Sequence, residues 1–159
     1  MASQTPTPAA PPQIQREFLH DCWGEIATLA YEHYLEIAVF RDIPFDPDKD
    51  RYLRLEDAGM IHCFTVRDAG VLIGYAVFIA QTNGHYQSSL QAVQDVLYLH
   101  NDYRRTGLAR ELICFCDQEL RVAGVQVVYQ HVKPARDFSK LLESEGYQLV
   151  ERVYARKLS

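Results

Sequence analysis

Two arginines, a threonine, a glycine and two small apolar residues stand in a row at Arg104-Arg105-Thr106-Gly107-Leu108-Ala109, with Arg110 directly behind. Residue types in this order suit anion binding. The row lies between an apolar run, Leu90 to Leu99, and an amphipathic run carrying Leu108, Leu112, Ile113, Cys116, Leu120 and Ala123 on one face, ended by Gly124. It therefore predicts a loop that leads from a strand into the start of a helix. A helix start offers unpaired N–H groups and a partial positive charge. Gly107 lets the backbone come close to a ligand, and Arg104, Arg105 and Arg110 add cationic charge. A pyrophosphate would fit. The row is neither GxxxxGK[ST] nor GxGxxG, and a basic loop ahead of a helix with no ligand at all is the plainer alternative.

Asp95 is the second residue of interest. It stands in the apolar run QAVQDVLYL, with Gln91 and Gln94 before it. A carboxylate on such a strand is costly unless it is paired or opens into a cleft. Pairing with an arginine, capping of a nearby loop and work in a cleft all satisfy that condition. The six histidines show no ligand spacing. Cys22, Cys63, Cys114 and Cys116 form no CxxC or CxxH pair, so no metal site is expected. Cys114 and Cys116 read as small core residues.

These groups need a scaffold. Residues 1–12 are proline-rich and polar and predict a disordered tail; residues 13–159 predict one domain. Helical spacing starts near Ile14 and runs through Phe18, Cys22, Ile26, Leu29, His33 and Ile37, with Gly24 as a dividing point between two helices. Residues 41–50 predict a loop and 51–60 a short helix. Ile61 to Val66 and Val71 to Ala80 predict a hairpin turned at Asp68-Ala69-Gly70. Residues 81–89 predict a polar connection, and Leu90 to Leu99 a third strand. Val125 to Val132 predicts a strand buried on both faces. A helix from Pro134 to about Glu145 and a closing strand from Tyr147 to Leu158 complete the order. The class is mixed α+β with a strand-helix-strand crossover at its centre.

The bulk numbers narrow the field. The chain has 159 residues, enough for one core. Its formal net charge of −5 argues against nucleic acid as a partner. The absence of an apolar run near 20 residues and of a signal-like start predicts a cytoplasmic protein with no membrane partner.

The chain resembles the GNAT (GCN5-related) acetyltransferases. Arg104-x-x-Gly107-x-Ala109 matches the Gln/Arg-x-x-Gly-x-Gly/Ala signature of that family, and DVLYLHNDYRRTGLARELI is similar to its motif A. SKLLESEGYQLVE, residues 139–151, resembles its late segment, and the hairpin at 61–80 its second and third strands. The resemblance covers roughly residues 14–158. It implies a GNAT-type fold with a V-shaped splay in a mostly antiparallel sheet, and transfer of acetyl from acetyl-CoA to a primary amine by direct attack. The amine would belong to a small molecule or to a protein lysine or N-terminus.

The resemblance also implies roles. Backbone amides of Arg104, Arg105, Thr106, Gly107, Leu108, Ala109 and Arg110 would hold the CoA pyrophosphate. The pantetheine arm would lie between the strand at Leu97, Tyr98 and Leu99 and the strand near Val128 to Gln130, with the Leu97 or Tyr98 amide facing the thioester oxygen. Asp95 aligns with a position that is often acidic and is the candidate base. The tyrosine that many members carry on the last helix is Leu142 here, which leaves the general acid vacant; Tyr98, Tyr129, Tyr147 or solvent stand in for it. Glu32, His33, His85, Tyr86 and His131 occupy places that border the acceptor cleft, although His33 also reads as a core histidine. The resemblance leaves room for a homodimer that covers a sheet edge, because no clear first strand and only one closing strand are visible. A non-catalytic acyl-CoA-binding module or a protein-protein regulator on the same fold is the alternative.

Overall fold

The computed structural model describes residues 10–158. The tail predicted over 1–12 lies outside the described residues as far as residue 9; residues 10–12 carry no regular structure. Five strands form one sheet in the order β1-β2-β3-β4-β5. They are β1 Gln13–Glu17, β2 Ile61–Asp68, β3 Val71–Asn83, β4 Tyr86–Leu99 and β5 Val127–Tyr129. The first four are antiparallel, and β5 is parallel to β4. Four helices accompany them: α1 Leu19–Ile37, α2 Lys49–Asp57, α3 Leu108–Val122 and α4 Ser139–Ser144. The parallel pair β4 and β5 is joined by α3, as a parallel connection requires.

The sheet divides two apolar layers. On one face Leu19, Cys22 and Ile26 of α1 meet Cys63, Tyr75, Val77 and Tyr98. On the other Leu108, Leu112, Cys116 and Leu120 of α3 meet Phe64, Val66, Ala76 and Phe78. The spacing of the α3 residues is that of one helix face. Phe18, ahead of α1, offers no side-chain cap. Glu56 of α2 takes its place: its carboxylate accepts the Leu19 and His20 N–H groups. That contact ties the two helices together by satisfying donors that would otherwise be orphaned.

Several boundaries differ from the sequence expectation. Residues 13–17 are a strand and not the start of a helix, because Gln13-Ile14-Gln15-Arg16-Glu17 pairs with Cys63 to Arg67 of β2. Arg67 fastens it, donating to Glu17 at 2.9 Å and to Glu25 of α1 at 2.8 Å. Gly24 does not divide α1, which runs unbroken from Leu19 to Ile37. The polar stretch 81–89 is mostly strand: Gln81 pairs with Gln91 and Thr82 with Leu90, leaving a turn at Gly84-His85. The final helix starts at Ser139 rather than Pro134, since residues 133–136 are held in a turn by a Lys133–Arg136 bridge. Residues 147–158 form no strand; Leu149, Val150, Val153, Tyr154 and Leu158 are exposed. β5 has only three ladder residues, and strand propensity is realised only against a paired neighbour.

Gly74 on β3 is where the backbones come closest. A Cβ there would meet Leu99 Cδ1 at 2.8 Å and the Tyr98 carbonyl oxygen at 2.9 Å. The Gly74→Ala variant is expected to lose about 1–3 kcal/mol through overpacking. At about 2–4 °C per kcal/mol for a chain of this size, its melting temperature should fall by roughly 2–12 °C. Calorimetry on wild type and variant checks this; equal melting temperatures would remove Gly74 as a packing constraint.

Candidate functional site

The site starts from an irregularity in β4. Val77 of β3 faces Val96, but its neighbour Phe78 faces Gln94. Asp95 is therefore the extra residue of a β-bulge. One extra residue reverses the alternation of faces. Before the bulge Leu90 and Ala92 lie on the α3 side; after it Leu97 and Leu99 do. The bulge lets Asp95 stand in an apolar strand: its carboxylate is exposed and accepts a hydrogen bond from the Tyr52 hydroxyl at 2.6 Å. Burial, aided by that bond, pushes the Tyr52 phenol above its ordinary value. The arginine pairing considered for Asp95 is not seen; Tyr52 is its partner.

The second irregularity is a parting of strands. The β4–β5 ladder covers Gln91 to Val93 against Val127 to Tyr129 and goes no further. The His131 N–H donates to the side-chain oxygen of Gln94 at 3.0 Å. A glutamine side chain is longer than a main-chain contact, so it holds the following segment away from β4. Residues 95–99 consequently have no ladder partner on that side among the described residues. A cleft of about 1790 Å³ lies beside this parting and touches β4 at Gln91, Val93 and Val96. Its walls include His33 and Tyr52 on one side and Tyr129 to Lys133 on the other.

The edge of β4 leads directly to the basic loop. After Leu99 a short 3-10 turn, Asn101–Tyr103, reverses the chain. Arg105 has φ +67° and Gly107 φ +91°, which turns the backbone toward the helix axis. No side chain caps the start of α3. The Thr106 hydroxyl donates to the Tyr103 carbonyl at 2.7 Å, while the Leu108 N–H reaches Thr106 Oγ1 only at 3.4 Å. The first N–H groups of α3 are thus left for a ligand. Leu108 is buried and Ala109 packs against the core, so both contribute backbone alone, as do Leu97 and Leu99.

The expectation that three arginines charge this loop is corrected. Arg104 turns inward: it donates to the Leu99 carbonyl at 2.7 Å and to Glu36 of α1 at 2.9 and 3.1 Å, and lies 5.5 Å above the Tyr98 ring. Arg110 pairs with Glu145 at 3.0 Å and Ser144 at 3.1 Å, tying α3 to α4. Arg105 is exposed and has no carboxylate partner among the described residues. It is the cation left over for an anion.

On the α1 side, the Tyr98 hydroxyl donates to Glu32 at 3.2 Å. Burial and the Glu32 and Glu36 carboxylates push its pKa up to about 12. In this arrangement Tyr98 is held as a hydrogen-bond donor to Glu32. His33 stacks on Tyr98 at 5.1 Å between ring centroids. Burial lowers its pKa, so it is neutral near pH 7. Glu32, His33, Tyr98 and His131 are brought together around the parting of the strands. His85 and Tyr86 are not. They sit at the β3–β4 hairpin tip, about ten and nine residues from Asp95 on a strand that rises about 3.3 Å per residue, roughly 30 Å away. A long hairpin stands in place of the expected connection; Gln81 to Gly84 line the cleft, and His85 and Tyr86 follow them at the tip, far from Asp95.

Tyr52, Gln94 and Arg136 are partners in the site that sequence reasoning misses. Gln94 has a signal, as a second polar residue on an apolar strand. Glu36 accepts from Arg136 at 3.0 Å as well as from Arg104, and a contact between residues 36 and 136 leaves no local trace.

A model of the acetyltransferase (GNAT) family matches residues 19–142, and the chain belongs to that family. It is thereby an N-acetyltransferase with acetyl-CoA as donor. Comparison with curated proteins finds no match. Solved structures of the same fold are found. A ribosomal-protein-alanine N-acetyltransferase from Brucella melitensis biovar Abortus 2308 is 17% identical, with 94% of this chain and 100% of that chain covered at a TM-score of 0.70. The aminoglycoside N-acetyltransferase AAC(6')-Iy in complex with CoA is 17% identical, with 92% and 100% covered at 0.67. Glucosamine-6-phosphate N-acetyltransferase from Arabidopsis thaliana is 8% identical, with 94% and 100% covered at 0.70. These three act on unlike amines, so the shared fold carries no acceptor. Among the described residues no helix is long and apolar enough to cross a membrane.

Glu36 gives the site a pH dependence. Burial would raise its carboxyl, but hydrogen bonds from Arg136 and Arg104 outweigh this and hold it below the usual carboxylate range. A lowered folded value contributes stability that is present above the unfolded value of about 4.3 and lost as pH falls through the folded one. Glu36→Gln should cost on the order of 1 kcal/mol at pH 7, and the gap to wild type should close on acidification. Urea unfolding at pH 7 and below pH 4 measures it; a gap independent of pH would mean that the carboxylate charge contributes nothing.

Proposed function

We propose that acetyl-CoA binds along the unpaired edge of β4 with its pyrophosphate on the start of α3, and that a primary amine enters from the α1 side to be acetylated next to Asp95. The observation that carries the reading is the continuity of two unsatisfied surfaces among the described residues: β4 backbone beyond Val93 with no ladder partner on its β5 side, running into a helix start with no side-chain cap. Donors at Arg105 to Arg110 and the Arg105 charge suit a pyrophosphate. The free edge of residues 95–99 suits an amide-bearing arm, which can add to a sheet edge as a strand does. Acetyl-CoA supplies an acetyl thioester, and transfer to an acceptor that starts as an ammonium yields an amide, the CoA thiol and one proton.

The chain's own groups have three tasks. An ammonium must become a neutral amine before it can attack. Asp95, exposed at the bulge and held by Tyr52, is placed to take that proton directly or through one water. The backbone N–H of Leu97 or Tyr98, whichever faces the free edge, suits the oxygen that gains charge during attack. Glu32, with His33 and Tyr98 behind it, adds negative potential that draws a cationic amine. The neutral His33 adds no opposing charge. The leaving thiolate takes its proton from solvent, since the position occupied by a tyrosine in many relatives is Leu142, which is buried.

Two measurements test this. An Arg105→Glu/Gly107→Glu double variant places two carboxylates on the proposed anion site, both at left-handed positions, one of them replacing the glycine that takes such angles without strain. At ~100 times its dissociation constant acetyl-CoA should stabilise wild type by about 2.7 kcal/mol, and the double variant should show no shift. Asp95→Asn should keep acetyl-CoA binding while turnover drops by about 10²–10⁴-fold. Unimpaired turnover in Asp95→Asn would remove Asp95 as base.

A further inference from the structure

A second cavity of about 80 Å³ lies beneath α1, beside the cleft and sharing Ala30, Phe45, Tyr52 and Tyr75 with it. Trp23, Phe45, Tyr52 and Tyr75 contribute aromatic walls, and Asp95 stands in its lining. The Trp23 and Tyr52 rings meet at 5.6 Å with planes tilted by 48°. Tyr75 is 1% exposed, and its hydroxyl has no hydrogen-bond partner among the described residues. A buried hydroxyl left without a partner costs free energy. Asp95 Oδ2 is taken by Tyr52, and no hydrogen bond from the described residues engages its other oxygen.

These features specify a ligand with two ends. One end is a cation, for the open Asp95 oxygen. The other is flat and apolar, for walls that offer aromatic faces, with a single polar atom for the Tyr75 hydroxyl. A polyhydroxylated amine fits poorly, because its many hydroxyls would lose water against Trp23, Phe45 and Val77 without new partners. A linear polyamine would bring charge where there is one carboxylate. We infer that the acceptor is an aromatic primary amine whose ring enters this cavity and whose ring-borne hydroxyl or N–H pairs with Tyr75, while its amine stands at Asp95. The inference rests on the reading of Asp95 and the cleft given above.

The test uses the full chain with acetyl-CoA and three kinds of acceptor: tyramine and phenethylamine, spermidine, and an aminoglycoside. Free CoA release gives kcat/KM. Ala27 lines only the small cavity, and Ala27→Leu fills it with a residue that suits a helix. In wild type the aromatic amines should exceed spermidine and the aminoglycoside by at least about 10-fold, the scale at which pocket contacts discriminate. Ala27→Leu should abolish that preference while its thermal shift with acetyl-CoA stays as in wild type. Tyramine should exceed phenethylamine in wild type, and Tyr75→Phe should bring the two together. A preference for the polar amines, equal loss for all acceptors in Ala27→Leu, or no turnover of any aromatic amine would overturn the inference. A tyramine-to-phenethylamine ratio unchanged in Tyr75→Phe would overturn the part given to the hydroxyl. Absence of an acetyl-CoA shift in wild type is separate from all of these and would bring down the underlying reading as well.

Discussion

The structure depends on one residue that does not pair. Asp95 is inserted in β4, and the insertion has two consequences in the same place. It turns a carboxylate out of an apolar strand, and it reverses which side chains face which helix. Leu97 and Leu99 can then join the α3 core while Tyr98 turns to α1. Next to it, Gln94 holds His131 through its side chain rather than its backbone, and the sheet opens. A bulge and a lost ladder cost hydrogen bonds that a regular sheet would have made. The groups left over are the ones a substrate can use.

The loop at 104–110 works by the same logic at its own scale. The helix start is left uncapped, and two residues take left-handed backbone angles. Of three arginines, only Arg105 remains for an outside anion. Arg104 and Arg110 are engaged inside the protein, holding the loop between α1 and α4. This is positioning rather than charge supply. An anion site whose backbone is held on two sides loses less conformational freedom when its ligand arrives.

Glu36 couples the two halves of the site. It receives Arg104, from the loop after β4, and Arg136, from the turn after β5. One carboxylate on the last turn of α1 thus spans the opening of the sheet and sets the distance between its sides. The aromatic cluster beneath α1 lies beside Asp95. What α1 covers and what it leaves open decides the shape of the acceptor side.

Local pattern and local chemistry are legible in the chain itself. Alternation and spacing place the central hairpin, the third strand and α3, and the Arg-x-x-Gly-x-Ala row announces an anion site and the GNAT resemblance, which the family match bears out. Those features depend on neighbours within a few residues. Strand β1 reads as helix because Ile14 happens to fall on a helical spacing; only its ladder with β2 makes it a strand. Residues 147–158 alternate well enough for a strand, yet pairing depends on a partner that the three residues of β5 do not extend far enough to provide. His85 and Tyr86 have the composition of a loop near the site, and the length of the β3–β4 hairpin sets them far from Asp95. Which carboxylate Arg104 finds, that Tyr52 holds Asp95, and where the sheet parts are all settled by residues distant in the chain. The central hairpin, β4, α3 and the basic loop between β4 and α3 follow from the order of the amino acids, because periodicity and helix starts are short-range. Which charges are neutralised and which remain follows only from the folded arrangement, because burial and pairing are long-range.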